Sequence, residues 1–300
     1  MIQTLQEMCQ GLEFPTDATS YLLEQARALQ SNAEAMDALH YATQKVFASD
    51  DRSYEESLEK AAEWTGVPRY TVDMIFFLSC APQMQSRFEE KGVGDQIFWD
   101  TLRDLRYKLM ECKNLFGYYG SFTKNWFPRF LRAEGFALGR LQYEKKPYAG
   151  EDYGTILKKD ELVCKCHIPS SGPLLYEDVL KSLRLAYNFY KEDRKNGILV
   201  ICCDSWMLYP PLIERLPQTS NIRRFYELFE VVSAKEKDTN TDFWRIFSLP
   251  YTPENLLAAP ENTSLQRTVK AFMLEGNSLG IGLGLLLFDG ERILTNRAPS

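Results

Sequence analysis

The chain has 300 residues, of which 45% are hydrophobic and 25% charged, and its formal net charge is −6 at pH 7. The length exceeds that of a usual single domain and the composition is globular, so we expect about two domains. The acidic balance, with no block of basic residues, argues against a partner that is a nucleic acid.

The first residues, MIQTLQEMCQGLEF, lack the basic start and apolar core of a signal peptide. The longest apolar run, residues 281–288, is too short to span a bilayer. The seven cysteines lie mainly in apolar segments, which favours buried thiols over disulfides. We therefore expect a cytoplasmic protein with no membrane partner.

The pattern up to Gly117 is helical, and its clearest stripe predicts one amphipathic helix from Phe98 to Phe116. The stretch GYYGSFTKNWFPRF, residues 117–130, then changes the composition to glycine and aromatic residues. We place the domain boundary there, which gives a helical domain at residues 1–117 and a second domain at residues 118–300.

Strand patterns begin after this boundary. FALGRLQYEKK, ELVCKCHIP and GILVICCDSW each predict one strand, and the unbroken apolar run of the third predicts a central strand covered on both faces. Residues 173–193 and 220–229 predict helices, FEVVSAK and FWRIFSL a β-hairpin, and TSLQRTVKAFMLEG a helix that ends at Gly276. IGLGLLLF is predicted as a last strand or a buried turn. The order predicts an α+β or α/β fold with a mixed sheet.

Several segments together resemble a known family. They are LGRLQYE, HIPSSGPL, DSWML with the following PPLIERLPQTSNIRRF, and TSLQR. The chain resembles bacterial acyltransferase-domain proteins, which join a helical N-acyltransferase N-terminal domain to a GNAT-like C-terminal domain. The resemblance implies transfer of an acyl group from acetyl-CoA or another acyl-CoA to an amine or hydroxyl acceptor. Ordinary GNAT enzymes carry a Q/R-x-x-G-x-G/A pyrophosphate loop, and SSGPL occupies that place here.

The segment HIPSSG connects a predicted strand to a predicted helix. Ser170, Ser171 and Gly172 are small, so we expect them to let a diphosphate approach the backbone at the helix start, with Pro173 in the first helical turn. An ordinary strand-to-helix turn is the alternative.

His167 is one of two histidines in the chain, and alternation places it on the strand face of Val163 and Lys165. A neutral imidazole there is a candidate general base, and a structural histidine is the alternative. Asp204 and Ser205 follow the next strand, so we expect them at the same edge of the sheet. The resemblance implies that these residues flank the gap that takes the pantetheine arm. Trp206 is a candidate wall of that cleft or a core residue.

Arg140, Gln142 and Glu144 are predicted to share one face of a strand. Glu144 is the alternative base and Arg140 a candidate anion contact, unless this face is simply solvated.

Three further residues are candidates on other elements. The resemblance makes Tyr226 a candidate acid for the departing thiolate, and its apolar neighbours make it a core candidate. Asn221, at a helix start, is a candidate polar contact. Trp126 either lines an acceptor pocket or packs the domains together.

The cysteines Cys164, Cys166, Cys202 and Cys203 lack the tight turn of a zinc site, so we expect no metal. The leading hypothesis is an acyl-CoA-dependent acyltransferase acting on an unidentified small-molecule acceptor. The alternative is a non-catalytic ligand-binding or interaction protein on the same fold. The sequence leaves a homo-oligomer open.

Overall fold

The computed structural model describes residues 1–237 and 239–295 of the chain. Its contacts divide the chain into two compact units, residues 1–137 and 138–300. The proposed boundary at residue 117 stays a prediction. Within the described ranges, no helix has the length and apolar character needed to cross a membrane.

The first unit is helical, as predicted. Its helices are α1 (Ile2–Gly11), α2 (Thr16–Gln30), α3 (Ala33–Phe47), α4 (Asp51–Thr65), α5 (Arg69–Ser79), α6 (Ala81–Glu90), α7 (Asp95–Leu102), α8 (Asp104–Phe116) and α9 (Pro128–Leu131). Helix α5 is buried at every residue from Thr71 to Leu78. A helix that is apolar nearly all round belongs in the interior, so α5 forms the centre of this unit.

The single helix predicted from Phe98 to Phe116 is wrong, because α7 ends at Leu102 and α8 begins at Asp104. Arg103 lies between the two helices. A break of one residue leaves the spacing of three and four intact, so the apolar stripe does not reveal it. Phe116 also departs from the stripe, since its side chain is 46% exposed.

The second unit begins at the last residue of β1, the first strand of a mixed sheet in the order β1-β2-β3-β4-β6-β5. The strands are β1 (Gly135–Leu138), β2 (Leu141–Pro147), β3 (Leu162–His167), β4 (Leu199–Ser205), β5 (Glu230–Glu236) and β6 (Gly280–Phe288). Strands β3 and β4 are parallel, whereas β2 pairs antiparallel with β3, and β6 pairs antiparallel with both β4 and β5. The prediction that GILVICCDSW is a central strand is confirmed by β4, which lies between β3 and β6.

The helices of this unit connect those strands. They are α10 (Tyr176–Phe189), α11 (Pro210–Ile213), α12 (Asn221–Tyr226), α13 (Phe243–Phe247), α14 (Pro253–Ala258) and α15 (Ser264–Leu274). Helix α15 ends just before Gly276, as predicted, and begins with a capping box in which Thr263 and Gln266 bond each other's backbone N–H groups.

Two strand predictions are wrong. FALGRLQYEKK forms two strands rather than one, because Gly139, at φ +73°, and Arg140 make a turn between β1 and β2. FWRIFSL forms helix α13 rather than the second strand of a hairpin, and β5 pairs with β6 instead. The apolar residues of that segment satisfy a helix, since Phe243, Ile246 and Phe247 are buried at a spacing of three and four.

Helix α10 covers one face of the sheet. The hydroxyl of Tyr143 on β2 lies 3.0 Å from the Ser182 hydroxyl of α10, so side chains next to Tyr143 along β2 point to the opposite face. On that opposite face, Tyr148 and Leu157 pack against an apolar cluster of Val163, Val200 and Leu287. The same face carries the polar residues predicted to act in chemistry.

Candidate functional site

A group of polar side chains shares the face of β2 and β3 that points away from α10. In the antiparallel register, Gln142 lies opposite His167 and Glu144 opposite Lys165. Gln142 and Glu144 are only 1% and 2% exposed. The prediction that Gln142 and Glu144 share a face is confirmed. The alternative, that this face is simply solvated, is wrong, because both side chains are buried.

The centre of this group is a carboxylate–imidazole pair. Glu144 Oε1 lies 2.8 Å from His167 Nε2, and the His167 side chain is 15% exposed. Lys146 Nζ lies 3.5 Å from Glu144 Oε2. A buried carboxylate requires charged or hydrogen-bonding neighbours, and the imidazole and the ammonium provide them.

Strands β3 and β4 bring Asp204 toward this group. The two strands are parallel neighbours, as the resemblance required, with Cys164 paired to Ile201 and Lys165 to Cys202. The described pairing ends there, although β3 continues to His167 and β4 to Ser205. Lys165 Nζ lies 3.7 Å from Asp204 Oδ2 across this point. The carboxyl ends of the two strands therefore form a polar edge.

The loop after β3 is held by Arg140. The Arg140 guanidinium donates hydrogen bonds to the carbonyl oxygens of Pro169, Gly172 and Pro173, at 3.0, 2.8 and 3.1 Å. Arg140 lies in the β1–β2 turn, so the expectation that it shares a strand face with Glu144 is wrong.

Ser170, Ser171 and Gly172 form the exposed part of that loop, with Gly172 at φ +109°. Helix α10 begins only at Tyr176. Pro173 therefore lies before the helix, and its predicted place in the first helical turn is wrong. The first turn contains Glu177 and Asp178 instead.

Three candidates lie at or beyond the end of β4. The Ser205 hydroxyl accepts a hydrogen bond from the Met207 N–H at 3.1 Å and so caps the short 3₁₀ turn at Trp206–Leu208. The Trp206 side chain is buried. Asn221 is the first residue of α12, and the side chain of Ser220, the residue before it, makes no capping bond. Their assigned roles stay predictions.

Tyr226 and Trp126 have hydrogen-bond partners of their own. The Tyr226 hydroxyl donates to Glu214 Oε1 at 2.8 Å. In the helical unit, the Trp126 indole donates to Asp104 Oδ2 at 3.1 Å, and the Arg129 guanidinium lies 4.4 Å from the Trp126 ring. These contacts fix the orientation of both side chains, and their predicted roles with substrate stay predictions.

The cysteines of the sheet are buried free thiols. Burial raises the pKa of Cys202 to about 12 and the pKa of Cys164 well above its usual range, so neither is a thiolate near neutral pH. In the described ranges, no three His, Cys, Asp or Glu side chains are grouped to hold a metal ion.

Two lysines near the site were not among the sequence candidates. Lys165 contacts Asp204, and Lys146 contacts Glu144. Lys165 was detectable in principle, because it alternates with His167 on one strand face. Lys146 was detectable in the same way, because it alternates with Gln142 and Glu144 along β2.

Two family models match the chain. Residues 3–133 match the N-acyltransferase N-terminal domain, and residues 136–286 match the GNAT-like C-terminal domain. No curated protein matches the chain in sequence.

Solved structures of acyltransferases have a similar fold. An acyltransferase in complex with decanoyl-CoA and teicoplanin is 23% identical, with a TM-score of 0.71 over 93% of this chain and 86% of that one. A mutant acyltransferase in complex with octanoyl-CoA is 22% identical, with a TM-score of 0.72 over 94% and 87%. Another, in complex with decanoyl-CoA, is 18% identical, with a TM-score of 0.64 over 94% and 98%.

These likenesses confirm the predicted fold class, a helical region followed by a GNAT-like mixed sheet. With both family models matched in order along the chain, the protein belongs to the family that joins an N-acyltransferase N-terminal domain to a GNAT-like C-terminal domain.

Proposed function

We propose that the chain is an acyl-CoA-dependent acyltransferase that transfers its acyl group to an amine or hydroxyl by direct attack. The observation that carries the proposal is the Glu144–His167 pair, joined at 2.8 Å at the edge where β3 and β4 cease to pair. The family supports it, as do the similar folds with decanoyl-CoA and octanoyl-CoA bound.

In this proposal His167 is the general base and Glu144 orients it. When Glu144 Oε1 accepts the hydrogen bond from Nε2–H, the lone pair of the imidazole is on Nδ1. Nδ1 then takes the proton from the attacking amine or hydroxyl, and the carboxylate stabilises the imidazolium that forms. The thioester carbon–sulfur bond breaks as the new acyl bond forms, and Tyr226 is retained as the candidate acid for the thiolate.

Positioning supplies much of the remaining rate enhancement. Holding the acceptor and thioester together contributes up to about 7–11 kcal/mol, so one modest base is sufficient. The edge of Asp204 and Ser205 is the candidate wall of the cleft, together with Trp206 and Asn221. The loop of Ser170, Ser171 and Gly172 is the candidate site for the diphosphate of coenzyme A.

The donor and the acceptor are proposed as chemical classes. The acyl-CoA ligands of the similar structures are decanoyl-CoA and octanoyl-CoA, which favours a medium-chain donor over acetyl-CoA. Teicoplanin is bound in one of them, which supports a small-molecule acceptor here. A cytoplasmic location remains part of the proposal, supported by the buried free thiols.

Calorimetric titration with acetyl-CoA, octanoyl-CoA and decanoyl-CoA tests the donor site. We expect the native protein to bind a medium-chain thioester, and Ser171→Glu to weaken that binding strongly, because it places a negative charge against the diphosphate. Ser86→Glu, on an exposed hydrogen-bonded serine of α6, is the control for an added charge elsewhere.

The alternative is a non-catalytic binding protein on the same fold. The departure from the glycine-rich pyrophosphate loop favours it, since SSGPL stands in that place. If the folded native protein binds none of the three thioesters, the result supports this alternative and rejects the proposal that the protein is an acyltransferase.

A further inference from the structure

We infer that Arg140 is a positioning residue for the donor site, which sets the conformation of the loop at residues 169–173 so that it can receive the coenzyme A diphosphate. The inference rests on the proposed function and adds to it a residue that acts without touching the donor. The expectation that Arg140 contacts the anion itself stays a separate prediction.

The first argument is the hydrogen bonding of the guanidinium. Nη1, Nη2 and Nε donate to the carbonyl oxygens of Pro169, Gly172 and Pro173. The planar guanidinium presents several N–H donors in a fixed fork, so one side chain gathers three carbonyls into one arrangement. Two of the three carbonyl groups belong to prolines, whose restricted φ stiffens the loop further.

The second argument is the direction of the peptide units. The described peptides are trans, so the N–H of each unit points opposite to its carbonyl. With the Pro169 and Pro173 carbonyls directed at Arg140, the N–H groups of Ser170 and Leu174 point away from the guanidinium. The Gly172–Pro173 unit has no N–H at all. Arg140 thus determines which side of the loop presents donors and which presents acceptors.

The third argument is electrostatic. Glu177 and Asp178 lie in the first turn of α10 and oppose an anion at that helix start. The helix end alone is therefore a poor diphosphate site. A guanidinium behind the loop offsets this negative charge and binds the carbonyl dipoles that would repel the ligand.

The loop and the catalytic pair are linked through the same two segments. Arg140 precedes β2, which contains Glu144, and Pro169 follows His167 at the end of β3. The Glu144–His167 contact joins these two segments on the sheet. The hydrogen bonds of Arg140 join them a second time, beyond the edge of the sheet. Loss of Arg140 leaves the inner contact in place, so we expect binding of the donor to change far more than the chemical step.

The test compares two donors that differ only in the nucleotide part. Decanoyl-CoA has the diphosphate and decanoyl-pantetheine lacks it. Affinity is measured by calorimetry for the first and by ligand-observed NMR for the weaker second, with native protein, Arg140→Ala and Arg140→Lys. Arg184→Ala, on the exposed side of α10, is the matched control. Thermal unfolding of each variant monitors the fold.

We expect Arg140→Ala to weaken decanoyl-CoA binding by about tenfold or more, because three charge-assisted hydrogen bonds are lost. Arg140→Lys should recover part of the affinity, since an ammonium keeps the charge without the fork. Affinity for decanoyl-pantetheine should change little. Because Arg140→Lys keeps the charge at this position, it carries the test if the alanine variant does not fold.

Two results would overturn the inference. Unchanged decanoyl-CoA affinity in both variants would show that the loop does not need Arg140. An equal loss for both donors, with a lowered melting temperature, would show a role in the fold only. Native protein that binds neither donor would instead reject the proposed function, and the two failures are therefore distinguishable.

Discussion

The proposed role of Glu144 depends on the burial of its carboxylate. Its side chain is 2% exposed, and ionisable groups lie beside it, among them His167 and Lys146. In such surroundings a charge is costly unless it is paired, so the carboxylate holds the imidazole in one orientation. Alternation along the strand predicted the shared face of Gln142 and Glu144. Burial of that face depends on what packs over it, which a sequence period does not contain.

Substitutions of the pair should separate binding from turnover. His167→Ala removes the base and is expected to lower kcat by about 100- to 10,000-fold, with little change in affinity for decanoyl-CoA. Glu144→Gln keeps a hydrogen-bonding side chain but loses the charge, so its loss should be smaller. The measurement is release of the free thiol with an acceptor found by screening, and calorimetry for affinity.

His40→Ala provides the control for these substitutions, because His40 is the other histidine and lies exposed on α3. Turnover of His167→Ala at the native rate would remove His167 from the mechanism and leave Glu144 as the candidate base.

Asp73 is a second buried carboxylate, at the centre of the helical unit. It is fully buried on α5, and its Oδ1 lies 2.8 Å from Arg69 Nη2. Burial raises the pKa of Asp73 from 3.8 to about 7, against the opposing effect of Arg69. The folded state therefore holds this proton at pH values where the unfolded state has lost it.

The stability of the protein should reflect that proton. A raised pKa in the folded state gives stability that is complete below about pH 4 and is lost as the pH rises toward 7. Asp73→Asn is neutral throughout, so we expect its melting temperature to fall less than that of native protein across this range. Scanning calorimetry at several pH values measures the difference, and parallel curves for the two proteins would contradict it.

Strand β6 shows how an element can be predicted while its role is not. IGLGLLLF was expected to be a strand or a buried turn, and it forms a strand between β4 and β5. Its glycines admit close neighbours, since a Cβ at Gly282 would overlap the Leu208 carbonyl oxygen. The sequence indicates packing by small residues but does not name the partner, because Leu208 arrives from a distant turn.

Gly282→Ala tests this close approach. The added methyl forces the turn at Leu208 away from the sheet, and we expect a loss of about 1–3 kcal/mol in the free energy of unfolding. Urea denaturation measures that loss. Gly94→Ser is the control, because a Cβ at Gly94 meets no heavy atom within 4 Å and serine suits its position before α7. Equal stability of the two variants would show that the turn adapts freely.

At the scale of the whole molecule, the aromatic segment after Gly117 was the least predictable part. Its composition suggested a junction between domains, and we placed the boundary at its start. Composition does not reveal which unit a segment packs on. In the structure, the Ser121 N–H donates to the Tyr70 carbonyl at 2.8 Å, and the ring centroid of Phe127 lies 5.2 Å from that of Phe77. Both contacts lie within the helical unit.

Fragments that end on either side of this segment distinguish the two boundaries. Residues 1–134 retain Phe127, Phe130 and Leu131, which are buried, and α9, which contacts α3 and α6. Residues 1–117 lack them. Burial of each such side chain contributes about 1.5–3 kcal/mol, and three together approach the total stability of a small domain. We therefore expect fragment 1–134 to unfold cooperatively on heating and fragment 1–117 to show no cooperative transition by circular dichroism. A cooperative transition at the same temperature in both would place the boundary at residue 117, since the segment would then add nothing to the stability of the helices before it.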